Sequence, residues 1–346
     1  MKISKLFLFS FLFSFLLISC TSQKETELKV LQLNLWIQCE LVADAVKGTV
    51  DYLDQTDADI ILLCELKRGD EQFITNLIND LKDHGKVYYT DGQYMNVGVL
   101  SKYKPVAAET FYPTEEEGRP IVKVTYEIGQ NNVVVYSAHL DHQHYQPYMP
   151  RGYSGTTWQS LDAPITDPDT ILAANRVALR DEAIAYFIKE AQTEIDKGNI
   201  VIMGGDLNEP SHLDWQANTK DLYSHNGVVV NWDCSMMLAE AGYIDTYREL
   251  YPSAMTHPGF TYPAGNKDAD LKGLVWVPIA DERDRIDFIY YSPNPHIQLK
   301  EAAIAGPSQS VAFGKIVESE SEDKFIIPTG VWPTDHKGMF ALFTVK

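Results

Sequence analysis

Two runs of consecutive apolar residues, Ile60-Ile61-Leu62-Leu63 and Ile200-Val201-Ile202-Met203, constrain the fold most, because a strand that is apolar on both faces has to be covered on both. A helix-compatible stretch precedes each: Leu41 to Leu53 before the first, and about Thr170 to Lys197, stopped by Gly198, before the second. Leu28 to Trp36 (LKVLQLNLW) alternates apolar with polar residues instead, the pattern of a half-buried strand. Phe73, Leu77, Ile78 and Leu81 share one face of a helix predicted over Asp70 to His84, with Gly85 as its stop. Strands are predicted at Val97 to Leu100, Ile121 to Ile128, Val133 to His139, Ile286 to Tyr291, Ile297 to Ala303 and Met339 to Val345, with Gln130-Asn131-Asn132 as a hairpin turn. Many strands with helices between some of them point to the α/β class, as two β-sheets packed face to face with helices outside rather than a barrel of regular βα units.

Against this apolar background, polar residues fall at strand ends. Asn34, Glu65, His139, Asp206 with Asn208, Asp287, and Asp335 with His336 all stand at or near the end of an apolar stretch. A carboxylate in such a place needs a metal ion or a paired imidazole, since a bare charge is very costly to bury. Taken alone, each is more often a cap, a turn former or a structural residue; their recurrence points to a site. In Gly204-Gly205-Asp206-Leu207-Asn208-Glu209-Pro210 the glycines allow close backbone approach, and Pro210 ends the strand. Asp206 and Asn208, two apart, face the same way on an extended chain, and an acceptor beside an amide suits a water nucleophile and a phosphate oxygen. Glu65 offers the hard oxygen that Mg²⁺ or Mn²⁺ prefers. A carboxylate that hydrogen-bonds an imidazole fixes its tautomer, which suits the Asp and His residues near the C-terminus, and His139 can supply a second imidazole.

Taken in order, LQLNLW with Asn34, LLCELK with Glu65, YSAHLDH with His139, GGDLNEP with Asp206 and Asn208, RIDFIYY with Asp287 and PTDHKG with Asp335 and His336 resemble the endonuclease/exonuclease/phosphatase superfamily. The resemblance implies a four-layer α/β sandwich, a site where the loops of two mixed sheets meet, one or two Mg²⁺ or Mn²⁺ ions, and phosphoester hydrolysis. Carried over position by position, it implies a metal held by Glu65 with Asn34 and Asp335, a water oriented or deprotonated by Asp206, and Asn208 on the phosphate or the nucleophile. His336, steadied by Asp287, would act as base or stabilise the pentacovalent phosphate, and His139 would contact a phosphoryl oxygen or protonate the leaving group. His139 stands where abasic-site endonucleases usually carry a tyrosine, and Glu65-Leu66-Lys67 differs from their Glu-Thr-Lys. Arg283-Asp284-Arg285 differs from the Trp-Cys-Asp-Arg of inositol-polyphosphate 5-phosphatases. Sphingomyelinase-like phospholipases C and secreted DNases share the His139-type motif.

The chain opens with Lys2 and Lys5, an apolar run from Leu6 to Ile18, then Ser19-Cys20 and the polar TSQKETE. That is a secretory signal pattern, too short for a comfortable membrane-spanning helix. Leu17-Ile18-Ser19-Cys20 also reads as a bacterial lipoprotein box. Residues 1–19 are therefore expected to be a removed signal, 20–27 a tether lipidated on Cys20, and 28–346 a catalytic domain. The expected setting is a monomer anchored to the outer membrane of the cell envelope, on its periplasmic or outer face. The net charge of −19 disfavours a nucleic-acid partner, whose non-specific affinity comes from Lys and Arg. Cys39, Cys64 and Cys234 lack CxxC spacing and read as buried free thiols. Substrate preference is placed in an irregular loop from Asp141 to Asp169, where Tyr145, Tyr148, Tyr153 and Trp158 offer apolar surface and His142, His144 and Arg151 could meet negative charge, or where all pack structurally. Arg176 and Arg180 read as simple ion pairs with acidic neighbours such as Asp181 or Glu182. The expected substrate is a small or lipid-linked phosphoester. Alternatives are an extracellular nuclease, a sphingomyelinase-like phospholipase C, or a silent ligand-binding lipoprotein, which would not need Glu65, Asp206 and His336 together.

Overall fold

The computed structural model describes residues 25–67, 69–70, 72–91, 93–110 and 121–346; the readings for the signal, for Cys20 and for the start of the tether lie outside these. Two mixed sheets pack face to face. In one, the strands run in the order Phe325–Ile326, Ile297–Ala305, Gly338–Val345, Thr26–Asn34, Ile60–Cys64, Val97–Ser101 and Gln93–Tyr94. In the other, the order is Pro105–Thr110, Ile121–Ile128, Asn131–His139, Ile200–Asp206, Asp287–Tyr291 and Ile244–Asp245.

The two apolar runs explain the layering. Ile60 and Leu62 meet Val135, Ile200 and Ile202 between the sheets, whereas Ile61 and Leu63 face outward onto Val50 and Leu53 of helix Ala45–Thr56 and Ile74, Leu77 and Leu81 of helix Gln72–Asp83. Likewise Val201 and Met203 face outward onto Ile184 and Phe187 of helix Arg180–Asp196. Both faces of each strand are thus covered, which gives the four-layer α/β sandwich its order: helix, sheet, sheet, helix. Gly204 and Gly205 permit the close approach their sequence suggests. A Cβ on Gly204 would stand 2.6 Å from Leu62 Cδ1 of the facing sheet, and one on Gly205 would stand 1.9 Å from Ala138 O of the neighbouring strand.

Several boundaries differ from the sequence reading, each for a local reason. The helix expected to begin at Leu41 starts at Ala45, after Asp44 adopts a left-handed conformation. The buried face of helix Gln72–Asp83 carries Ile74 in place of Phe73 and Ile78, which sit at its margin. The hairpin turn is Gly129-Gln130, because Gly129 supplies the positive φ and Asn131 already pairs with Ile128. The helix expected over Thr170 to Lys197 is broken at Leu179 (φ 55°) into Pro168–Asn175, a 3₁₀ turn and Arg180–Asp196. The break buries the Arg180 guanidinium, which donates to the carbonyls of Asp141, Gln143 and His144 and to Asn175 Oδ1. Arg176 reaches Asp233 through two hydrogen bonds of 2.9 Å, so neither arginine makes the nearby pair expected of it. Cys39, Cys64 and Cys234 are buried free thiols, as their spacing suggests.

A buried histidine gives the fold a definite acid sensitivity. His225 stacks on Trp215 at 3.6 Å between ring centroids, with Arg151 over the same indole. Burial, reinforced by the Arg151 charge, pushes its imidazole down to about 2 from an ordinary value of 6.5. Between those values the unfolded chain binds a proton that the fold excludes, so this contribution is fully present above pH 6.5 and is lost as pH falls. Denaturant melts at pH 7 and pH 5 are expected to show a His225→Phe variant losing about 2 kcal/mol less than the parent between the two. Equal losses in both proteins would show that His225 is protonated in the fold.

Candidate active site

Strand register brings the site together. His139 closes strand Asn131–His139 beside Asp206, which closes its parallel neighbour Ile200–Asp206, and Asp206 in turn sits opposite Asp287, which opens strand Asp287–Tyr291. Three of the sequence-selected residues are therefore side by side at one end of one sheet. On the facing sheet, Asn34 closes its strand opposite Cys64, which places Glu65 one residue further on. Asp335 and His336 come from the segment just before strand Gly338–Val345, which lies next to Asn34's strand.

The hydrogen bonds divide these residues into connected groups. Asn34 Nδ2 donates to Glu65 Oε1 (3.1 Å) and to Asp206 Oδ2 (3.0 Å), holding two carboxylates apart across the sheets. Its amide oxygen is turned away, accepting from the Trp36 backbone (2.9 Å). Asp287 Oδ2 meets His336 Nδ1 at 2.9 Å, while Asp287 Oδ1 accepts from Gln32 Nε2 at 2.8 Å. His336 Nε2 and His139 Nε2 each lie 3.8 Å from Asp206 Oδ2, and His139 Nε2 is 4.0 Å from Glu65 Oε1. Asn208 is beside Asp206, but by a different device from the one expected. The strand ends at Asp206, Asn208 is left-handed (φ 48°), and its backbone N–H donates to Asp206 Oδ1 (2.8 Å) in a tight turn rather than along an extended chain.

Burial and charge set the protonation of this cluster. Burial, then the nearby Asp287, pushes the Asp206 carboxyl up to about 8, and burial pushes Asp335 up to about 7. Burial alone would lower His336, but Asp287, Asp206 and Asp335 outweigh it and hold the imidazole well above its ordinary value. Glu65 is held low because His139 and His336 offset the effect of its burial. Three buried carboxylates and the partly exposed Glu65 around two imidazoles form an acid-rich concentration that a divalent cation would neutralise. Asp206, Asp287 and His336 offer ligand atoms within 4.8 Å of one another. Both oxygens of Asp287, of Glu65 and of Asp206 are engaged in protein hydrogen bonds, so a cation would share each of these carboxylates with the donors already on it.

Of these residues, Glu65, His139, Asn208, Asp335 and His336 form the floor of a cavity of about 640 Å³. One wall starts at Trp36–Cys39, a short turn whose four residues are all left-handed, with φ from 41° to 64°. None is glycine, and such a conformation costs an L-residue about 1–2 kcal/mol. The turn is held by the site itself, since the Ile37 N–H donates to Glu65 Oε2 (2.9 Å) and the Gln38 N–H to the Glu65 carbonyl (2.8 Å). It also ends the first strand at Asn34 rather than at Trp36 as expected. The loop from Asp141 to Asp169 supplies another wall and is not structureless: it contains a 3₁₀ turn, Gln146–Tyr148, and a bridge between Tyr153 and Ser160. Tyr145 and Tyr148 are structural and cavity-lining at once, donating to Asp284 (2.7 Å) and Glu282 (2.5 Å). Arg151, read either as a contact for negative charge or as part of a packed loop, takes the second role, buried on Asp284 at 2.7 Å. His142 and Trp158 line the cavity.

Two residues at the site were missed in the sequence. Gln32 steadies Asp287 from the opposite sheet, and Asn96 Nδ2 lies 2.7 Å from His139 Nδ1. The available signal was an amide beside a buried strand: Gln32 between Leu31 and Leu33, and Asn96 just before Val97.

A family model described as Endonuclease/Exonuclease/phosphatase family matches residues 31–336. An uncharacterized protein of Caenorhabditis elegans is 23% identical over 323 residues, covering 92% of this chain and 91% of its own. Among solved structures, D. rerio TDP2 complexed with a single-strand DNA product superposes with a TM-score of 0.55 at 16% identity, over 92% of this chain and 99% of that one. An endonuclease/exonuclease/phosphatase from Bacteroides vulgatus gives 0.51 at 13% identity, over 93% and 100%. At these identities the likeness to both structures speaks for the fold.

Proposed function

Because this chain belongs to the Endonuclease/Exonuclease/phosphatase family, and so is a phosphoester hydrolase, we propose that it uses a divalent metal, Mg²⁺ or Mn²⁺, to cleave a small or lipid-linked phosphoester outside the cytoplasm. The observation that carries the proposal is the register of three strand ends, which sets His139, Asp206 and Asp287 side by side with His336 against them. Asp206, whose proton affinity is raised by burial and by Asp287, is the group we assign to take a proton from an attacking water. Asn208, fixed by its turn on Asp206, orients that water or a phosphate oxygen. His336, its Nδ1 on Asp287, presents Nε2 to the charge that develops on the phosphoryl group. His139, held through Nδ1 by Asn96, presents Nε2 from the other side, where it can contact a phosphoryl oxygen or protonate the leaving group. Glu65 and Asp335 are the residues we assign to the metal, with Asn34 steadying Glu65; when bound, the ion would supply positive charge beside the phosphate and leaving oxygens. The net charge of −19 weighs against a nuclease, and the lipid on Cys20 would account for envelope anchoring.

One experiment tests both parts. Membrane and soluble fractions of cells making the chain or a Cys20→Ala variant are assayed on bis-p-nitrophenyl phosphate, p-nitrophenyl phosphate and DNA, with Mg²⁺, Mn²⁺ or EDTA. The expected result is turnover of a nitrophenyl ester that EDTA lowers at least about 100-fold, sedimenting with membranes only when Cys20 is present. Turnover insensitive to EDTA would overturn the metal proposal, DNA as the preferred substrate would overturn the small-ester proposal, and identical fractionation would overturn the anchor.

A further inference from the structure

We propose that the cavity above the site is a rigid aromatic slot that selects phosphoesters of a small planar apolar group, an inference that rests on the phosphoester reading above. Three tryptophans line the cavity: Trp36, Trp158 and Trp276. Trp158 and Trp276 stack on each other at 4.6 Å and 13°, too close to admit a ring between them, so they present a single flat face. Opposing apolar surface comes from the strained turn and its continuation, where Ile37 is 44% and Leu41 50% exposed, while Trp276 remains 55% exposed. Large apolar side chains left open to water around a catalytic floor are unfavourable in the free protein, and a ligand that covers them recovers that free energy.

The slot is built rather than incidental. Buried Glu282 accepts from the backbone of Trp276 (3.1 Å) and Val277 (2.6 Å) and from Tyr148, so one carboxylate fixes both the tryptophan segment and the loop beneath it. On the other side, four consecutive left-handed residues cost stability to place Trp36 and Ile37 at the mouth, and strain of this kind is retained where the surroundings enforce it. Trp36 reaches across towards Gly273, where an added Cβ would stand 3.4 Å from its ring.

Size and charge narrow the occupant. A volume of about 640 Å³ suits a compact ligand with its phosphate on the floor, not a long chain held along its length. Cations among the described lining residues are Lys67, Lys272 and the His336 imidazolium, which is already surrounded by carboxylates, and Lys67 also pairs with Glu40. A polyanionic backbone would need several more. What the walls can recognise is a flat apolar group laid against the open face of the Trp158–Trp276 pair.

Calorimetric titrations of the full chain in Mg²⁺ with phenylphosphonate and methylphosphonate separate this inference from the reading it rests on. The parent is expected to bind the phenyl compound about 30-fold more tightly, from ring burial and stacking. Trp276→Ala and Trp158→Ala are each expected to cut that preference below about fivefold while leaving methylphosphonate binding within about twofold, which also reports an intact fold. Equal binding of the two phosphonates by the parent, or a preference that survives both variants, would overturn the slot and leave the phosphoester reading standing. Binding of neither would overturn both.

Discussion

Replacing Asp206 by asparagine is expected to lower kcat/KM for the nitrophenyl ester that the parent hydrolyses about a thousandfold, while the variant melts no lower than the parent in EDTA. The change is isosteric, and its amide oxygen can still accept from the Asn208 N–H that Asp206 Oδ1 holds at 2.8 Å. It cannot take a proton, and it places an NH₂ group where Asn34 Nδ2 now donates at 3.0 Å. Burial and Asp287 hold the Asp206 carboxyl at about 8, above its ordinary 3.8, so the folded state keeps a proton that the unfolded chain releases across that interval. Any contribution of this group to stability is therefore complete below pH 3.8 and is lost as pH rises through 8. At pH 7 a neutral amide removes that liability, offsetting the hydrogen bond lost to Asn34, which still donates to Glu65. Loss of turnover with retained melting temperature separates a role in chemistry from a role in packing. Activity above about a tenth of the parent's would remove Asp206 from the role of base, and a much lower melting temperature would make it a structural residue.

The layers and the site floor were legible because each rests on short-range pattern. Ile60 to Leu63 and Ile200 to Met203 could only be covered on both faces, and the polar residues that follow them could only emerge at the sheet ends. What was not legible depends on contacts distant in sequence. Nothing in Trp36-Ile37-Gln38-Cys39 favours a left-handed turn; it exists because Glu65 and Asn34 hold its backbone N–H groups. Leu179 carries no breaker signal, and the helix yields there to the carbonyls that receive Arg180. Gln32 and Asn96 act through partners 255 and 43 residues away, so an amide in or beside an apolar strand marks each position without naming its partner. The charge of Arg151 leaves a contact for substrate and a structural role equally open in the sequence, and only the distant Asp284 decides it by consuming that charge internally.

That internal pairing sets the second expectation: Asp284→Ala is expected to cost about 3–5 kcal/mol in denaturant melts. Asp284 Oδ2 accepts from Tyr145 (2.7 Å) and Arg151 (2.7 Å), and Oδ1 accepts from Trp215 Nε1 (3.1 Å). Both charged side chains are buried, so the alanine variant takes from the guanidinium its directly bonded counter-charge, leaving Asp281 and Glu282 to act on it without a direct hydrogen bond, beside a tyrosine and an indole that each lose an acceptor. Combining the change with Arg151→Met is expected to recover at least about half the loss, because removing both charges avoids the uncompensated one. A cost below about 1 kcal/mol for the single change would mean that packing alone holds the loop from Asp141 to Asp169. The same variants couple stability to selectivity, since Tyr145 is both a ligand of Asp284 and part of the cavity wall. If the double variant regains stability but not the preference for phenylphosphonate, the ion pair acts by placing the wall, and order in the loop is not sufficient for recognition.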